Sequence, residues 1–147
     1  MADRCFEDFE IGQTYAVGGR TVTETDIVLL ASLIGANAPL FLNEEYAKQT
    51  PFGTRIAPGE LTLSFAMAAT EPLVHGGLVG LLGIDKVRFR APVKAGDTIT
   101  NHVQVIARRP SARGGRGIVT LANSVRNQRG EEVATFEHTV LLRARGG

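Results

Sequence analysis

The sequence predicts an α+β domain in which an antiparallel sheet curls around one apolar helix. Between Pro58-Gly59 and Pro72, residues Leu61, Leu63, Phe65, Ala66, Met67, Ala68 and Ala69 cover every face of a helical segment. A helix that is apolar all round belongs in the middle of something. Downstream, "LVGLLGIDKVRFRAPV", "DTITNHVQVIARRP", "RGIVTLANSVRNQ" and "EEVATFEHTVLLRAR" alternate or run β-branched, the pattern of strands. Turn signals at Pro92–Gly96, Arg113–Gly117 and Asn127–Gly130 separate them and predict successive antiparallel hairpins. With a further strand near "QTYAVGGRTV", the expectation is one buried helix against a sheet of about five strands.

The upstream elements follow in order. In "TVTETDIVLLASLIG", Thr23 is a candidate N-cap and Asp26 stands three residues later, close to a capping box. Ile27, Leu29, Leu30 and Leu33 recur at near-helical spacing, and Gly35 is a plausible C-terminal stop. "GANAPLF", Gly35 to Phe41, reads as a loop with one polar side chain, Asn37. "NEEYAKQ" reads as a short helix started by Asn43, and "TPFGTRIAPG" as loop.

A chain of 147 residues is expected to form one domain, 1–147. At 44% hydrophobic and 21% charged it is too apolar for disorder and too mixed for a fibre. Cys5 is the only cysteine, which excludes an internal disulfide and fits a reducing compartment. The opening "MADRCFEDFE" is charged from residue 3, unlike a signal or transit peptide. The longest uncharged run, Ile27 to Asn43, is broken by Gly35, Asn37 and Pro39, short of a membrane span. A cytoplasmic protein without membrane contact is expected.

Charge is unevenly spread. Residues 1–87 hold five Lys/Arg and eleven Asp/Glu, net −6, whereas residues 88–147 hold eleven and four, net +7. Either two complementary halves or subunits attract each other, or the basic half grips an anion, with a small cofactor's phosphates the main candidate. "RRPSARGGRG" packs four Arg and three Gly into ten residues. It lacks the interleaved aromatics of an RNA-binding surface, so a hairpin tip is the simpler reading and no nucleic-acid partner is expected. His75, His102 and His138 lie on three elements with no ligand-like spacing, and no metal site is expected.

These residues together carry a family resemblance. The element order is similar to the hot-dog fold. More narrowly, the chain resembles the MaoC-like dehydratases, the (R)-specific enoyl-CoA hydratase branch, over nearly its whole length. "FEDFEIGQTY" resembles that family's N-terminal strand, "GRTVTETDIVLLASLIG" its first helix, "NEEYAKQTPFGTRIAPG" its approach to the central helix and "GIDKVRFRAPVKAGDTI" its sheet-core segment. The resemblance implies an acyl-CoA or carrier-linked thioester as substrate, no separate cofactor, and assembly at least into a homodimer or with a paired hot-dog subunit.

The acid/base residues depart from the family pattern. Where the family has Gly-Asp-x-Asn-Pro-Leu/Ile-His, this chain has Gly35-Ala36-Asn37-Ala38-Pro39-Leu40-Phe41. Where the family has Ala-His-Gly, it has Ala57-Pro58-Gly59. Hydration of an enoyl thioester needs a base to activate water and an acid to protonate carbon. Ala36 and Phe41 supply neither, so ordinary hydration is not expected. The resemblance places Gly59, preceded by Pro58, where a helix N-terminus polarises the thioester carbonyl, with Ala36 and Phe41 as substrate-contacting walls. Asn37 can hold a carbonyl or a water. Ser64 matches a helix serine of the hydratases or bonds back to a helix carbonyl. Glu60 is a first-turn carboxylate complementing the helix dipole, or a relocated base or nucleophile. His75-Gly76-Gly77 is superficially similar to a thioesterase motif but follows the central helix and reads as loop. Three functional classes stay open: a lyase with altered acid/base groups, a thioesterase using Glu60, and a non-catalytic subunit.

Overall fold

The computed structural model describes residues 4–147, so Met1–Asp3 of the charged opening lie outside the described residues. Five strands form one antiparallel sheet: β1 (Thr14–Thr21), β2 (Leu78–Phe89), β3 (Thr98–Pro110), β4 (Arg116–Arg126) and β5 (Glu132–Arg143), in the order β1-β3-β4-β5-β2. Along β4, most of β5 and the first half of β3, to Val105, every second residue is buried, among them Val103 and Val105, Val119 and Leu121, Phe136 and Val140. This is the one-face-in pattern of a sheet covered on a single side.

Two of the three expected hairpins form, β3–β4 and β4–β5. The second is closed by Asn127, whose Oδ1 accepts from the N–H groups of Arg129 (3.0 Å) and Glu131 (3.1 Å), a side chain standing in for a turn carbonyl. The third expectation is corrected. Pro92–Gly96 carries no hairpin, because β2 pairs with β5 at the sheet edge and β3 pairs with β1 and β4. Edge order is a non-local property that a turn signal does not encode.

The helices are α1 (Glu24–Ile34), α2 (Pro39–Leu42), α3 (Glu44–Ala47), α4 (Gly59–Ala69) and α5 (Glu71–Val74). The Thr23 capping box forms in both directions: Asp26 N–H donates to Thr23 Oγ1 at 3.0 Å, and Thr23 N–H to Asp26 Oδ2 at 2.9 Å. Those bonds hold the Asp26 carboxyl below its usual range. Gly35 ends α1 with φ 75°, a left-handed cap that an L side chain rarely adopts. Asn43 caps α3 by accepting from Tyr46 N–H at 3.0 Å. The stretch read as loop is part helical, since Pro39 opens the single turn α2, a position where its missing N–H costs nothing. Likewise Pro72 opens α5 instead of stopping α4, which has already ended at Ala69.

The central helix is not enclosed. In α4, Leu61, Thr62 and Ala66 are buried, whereas Glu60, Ser64 and Ala68 face solvent. The curled sheet covers one side of α4, and among the described residues no further layer covers the other. Edge strand β2 in turn exposes Leu78, Val79, Leu81, Leu82 and Ile84. The leucines of α1 behave similarly: Ile27 and Ala31 are buried, but Leu29 and Leu33 are exposed.

The core has two apolar clusters, one around Leu61, Ala66, Ile99 and Phe136, the other packing Phe6, Phe9, Leu73 and Val74 on Val105, Leu121 and Leu142. A buried polar chain crosses the same interior. Asn101 Nδ2 donates to Ala66 O (3.0 Å) and Asn123 Oδ1 (2.9 Å), and Asn123 Nδ2 donates to Leu121 O and to His138 Nδ1, each at 2.9 Å. An amide NH2 only donates, so His138 Nδ1 accepts and the neutral ring carries its proton on Nε2. Burial lowers the His138 pKa from 6.5 to about 4. Because the folded value lies below the unfolded one, this histidine's contribution is full above pH 6.5 and is lost as pH falls toward 4. The loss is on the order of 3 kcal/mol at 1.36 per pH unit. We expect His138→Phe, which keeps the volume and removes the titration, to flatten stability between pH 6.5 and pH 4. Urea unfolding at the two limits checks this. Equal losses in variant and wild type would exclude His138 as the source.

Candidate functional site

The site is built where the head of α4 meets the end of β2. Ala57 N–H donates to Val93 O at 2.7 Å, and Lys94 Nζ to Phe52 O at 2.7 Å, so the segment entering α4 is pinned to the chain leaving β2. Glu44 holds the outer part of that segment. Its carboxylate accepts from Thr54 Oγ1 (2.7 Å) and from Arg55 N–H (3.1 Å), and the Thr54 bond, then the Arg55 bond, keep its pKa below the usual value.

Pro58 precedes the helix, and no side chain caps it. Leu61 N–H already donates to Pro58 O at 2.9 Å, so the helix-head N–H groups left over are those of Gly59 and Glu60. Gly59 fits closely: a Cβ there would lie 2.8 Å from Phe89 Cζ, and the exposed ring would have to turn aside. The absent side chain lets the Phe89 ring rest against the helix backbone.

A cavity of about 380 Å³ opens at this junction. Leu40 and Phe41 of α2, Phe52 and Ile56 of the following loop, Gly59 and Thr62 of α4 and Phe89 of β2 line it. Among the described lining residues, Thr62 and Arg90 are the ones with polar side chains. The volume lies within the range of small-molecule sites, and the apolar wall with few polar groups is their usual make-up.

Of the residues chosen from sequence, the structure brings Phe41 and Gly59 together in this cavity. Pro58 is buried as the N-cap of α4. Ala36 is half-buried, and its N–H donates to Ala31 O at 2.8 Å as part of the α1 cap. Asn37 is exposed, its N–H donating to Gly35 O at 3.0 Å. Glu60 and Ser64 are exposed on the bare side of α4 and do not line the cavity. Thr62, Phe52, Phe89 and Arg90 were not singled out from sequence. The signal for Thr62 was present: it stands three residues after Gly59, on the same helical face, whereas Glu60 and Ser64 share another face four residues apart. The histidines remain apart. His75 caps α5 and is exposed, His102 is exposed on β3, and His138 is inside the core.

Chemically, two free N–H groups at a helix N-terminus favour negative charge on a nearby oxygen. The Phe41, Phe52 and Phe89 rings beside them add apolar surface and no competing polar group. The described lining residues include no carboxylate, histidine or cysteine; their polar side chains are the Arg90 guanidinium and the Thr62 hydroxyl.

A family model, the MaoC like domain, matches residues 8–127. The (R)-specific enoyl-CoA hydratase of Rhodospirillum rubrum is 35% identical over 142 residues, covering 96% of this chain and 93% of that protein. Among solved structures, a protein described as a monoamine oxidase regulatory protein from Archaeoglobus fulgius superposes with a TM-score of 0.88 at 36% identity, covering 98% of this chain and 99% of that one. A double hot-dog protein of Mycobacterium tuberculosis, at 20% identity, shares the fold with a TM-score of 0.82 over 96% of this chain and 44% of its own. With the helix laid on a curled antiparallel sheet, these matches establish that the chain belongs to the MaoC-like domain family and has its hot-dog fold.

Proposed function

We propose that the chain binds an acyl thioester, with the carbonyl at the head of α4 and the acyl group in the adjoining apolar cavity, and that it is not an ordinary enoyl-CoA hydratase. The observation that carries this reading is one cavity joining the uncapped Gly59 terminus to the apolar wall of Leu40, Phe41, Phe52 and Phe89. The kinship with a CoA-thioester hydratase supports the substrate class. Coenzyme A enters as part of the substrate, and no separate cofactor is invoked. The single Cys5 supports a reducing, cytoplasmic setting. Among the described residues no helix is long and apolar enough to cross a membrane.

Hydration requires proton transfer at two points, and Ala36 and Phe41 stand where the family carries its acid/base pair. Crotonyl-CoA hydration by the wild type is therefore expected to fall below the usual enzymatic range of roughly 1–1000 per second. The double variant Ala36→Asp/Phe41→His is expected to gain measurable hydration, read as loss of the enoyl absorbance. A wild-type turnover inside that range would contradict the reading. A folded double variant that binds crotonyl-CoA without hydrating it would show that the acid/base positions are misassigned.

A second reading keeps catalysis, as a lyase with non-standard groups or a thioesterase, and rests on Glu60. The favouring observation is its exposure on the bare side of α4, in a protein whose edge strand β2 is apolar and open. An open edge invites pairing, and a second copy laid along β2 would turn this side of α4 toward an interface. Light scattering at micromolar concentration is expected to show at least a dimer. Glu60→Gln is expected to keep assembly and hexanoyl-CoA binding while losing whatever turnover exists, including release of free thiol. A Gln variant with full activity would reduce Glu60 to a helix-dipole carboxylate. Turnover appearing only after mixing with a second hot-dog chain would favour the non-catalytic subunit, and a monomer would remove the interface argument.

A further inference from the structure

The last turn of α4 lacks partners of its own, because the final carbonyls of a helix have no N–H in a following turn. Thr70 gives both its N–H (3.0 Å) and its Oγ1 (2.7 Å) to Met67 O. Ala66 O accepts instead from Asn101 Nδ2 of β3, at 3.0 Å. Among the described residues this is the one side-chain hydrogen bond from the sheet to α4. Ala66, Thr70 and Asn101 are all buried, so bulk water has no access to these bonds.

Asn101 is the first of three residues on a diagonal across the inner face of the sheet. Val103 of β3 stands opposite Asn123, and Leu121 of β4 stands opposite His138, so each step along the diagonal shifts by two residues. Side chains reach across such diagonals. The two amides are locked in one orientation. Asn101 Nδ2 donates to Ala66 O and Asn123 Oδ1, and Asn123 Nδ2 donates to Leu121 O and His138 Nδ1. A backbone carbonyl only accepts, so Ala66 O and Leu121 O each require the NH2 side of the amide that faces them. Donation therefore runs one way, from β3 through β4 to β5, and ends on the unprotonated Nδ1 of His138.

The surroundings of that histidine carry no charge. Its strand neighbours are Leu121 of β4 and Ile84 of β2, and the Phe136 ring lies 5.9 Å away between centroids. Glu137, the next residue on β5, is paired with Lys86 on the other face of the sheet. On the helical side, Glu60 of α4, Glu71 of α5 and His75 are exposed.

We propose that Asn101, Asn123 and His138 form a clasp that holds the last turn of α4 on the sheet and opens when His138 takes up a proton. Nε2 already carries one, so the new proton goes to Nδ1, where it meets the Asn123 NH2 donor against donor. A buried imidazolium needs an acceptor. Asn123 Oδ1 is the side-chain oxygen at hand, and turning the amide supplies it. The turned NH2 then faces Asn101 Nδ2, and Asn101 turns as well. Asn101 Oδ1 has no partner among the described residues, so it gives up no bond by moving. That oxygen now stands against Ala66 O, and the bond to α4 is lost. The clasp is independent of the acyl-thioester reading, although α4 is the helix whose head lines the cavity.

NMR of the carbonyl and side-chain amide signals between pH 6.5 and pH 4 tests the clasp. The folded pKa of about 4 lies below the ordinary 6.5, so the clasp is closed near neutrality and opens as pH falls toward 4. In wild type the Asn101 and Asn123 NH2 signals and the Ala66 carbonyl signal are expected to move with the midpoint of the His138 ring. In His138→Phe they are expected to stay still. A ring that titrates while the Ala66 carbonyl stays still, or a carbonyl that moves equally in His138→Phe, would overturn the clasp. Asn101→Leu at neutral pH removes the bond without titration, and so covers the case in which acid unfolds the wild type first. Its amides from Met67 to Thr70 are expected to lose about fivefold of their hydrogen-exchange protection, the worth of one hydrogen bond, while those of β3, β4 and β5 keep theirs. Unchanged protection in α4, or protection lost equally in helix and sheet, would overturn the clasp.

Discussion

The contact on which the site depends is between Gly59 and the ring of Phe89. A Cβ at residue 59 would lie 2.8 Å from that ring, so a larger residue would push the exposed ring away from the head of α4 and reshape the cavity wall. The bond from Ala57 N–H to Val93 O, at 2.7 Å, holds the same junction from the backbone side. With both in place, Gly59 at the helix terminus faces a wall built by α2, the loop after α3 and β2. Widening the junction would admit water beside the helix-head N–H groups and weaken their hold on an oxygen.

That geometry separates two tasks which the family pattern joins. Polarising a thioester carbonyl needs fixed N–H donors, and in the proposed reading Gly59 at the cavity supplies one. Moving protons needs ionisable side chains facing the same space. Here the corresponding wall is Phe41, with Leu40 and Phe52 beside it. The carboxylate nearest in sequence, Glu60, stands on the bare side of the helix. On the proposed reading this hollow suits an apolar acyl group, and its described lining residues include no carboxylate, histidine or cysteine.

What was legible in the sequence was local. The Thr23–Asp26 box, the Gly35 stop, the Asn43 cap and the alternation of β3, β4 and β5 depend on neighbours a few residues apart, and they form as the residue types imply. The Pro92–Gly96 turn was misread as a hairpin because the pairing of β2 with β5 spans half the chain. The composition of α4 suggested full enclosure, yet the sheet covers one side of it, and Ser64 and Ala68 meet solvent. Glu60 and Ser64 stood out by chemical type, while Thr62 and Phe89 enter the cavity through helix phase and the end of an edge strand. Reading helix phase from Gly59 would have reached Thr62; no local signal marks Phe89.

The most direct test of the central claim is a backbone amide NMR titration of the wild type with hexanoyl-CoA. If the head of α4 holds the thioester, the amide signals of Gly59, Glu60 and Thr62 shift most, together with Phe41 and Phe89 across the cavity. Saturable shifts confined to the exposed face of α1 around Leu29 and Leu33, or no saturable shift at all, would contradict the account.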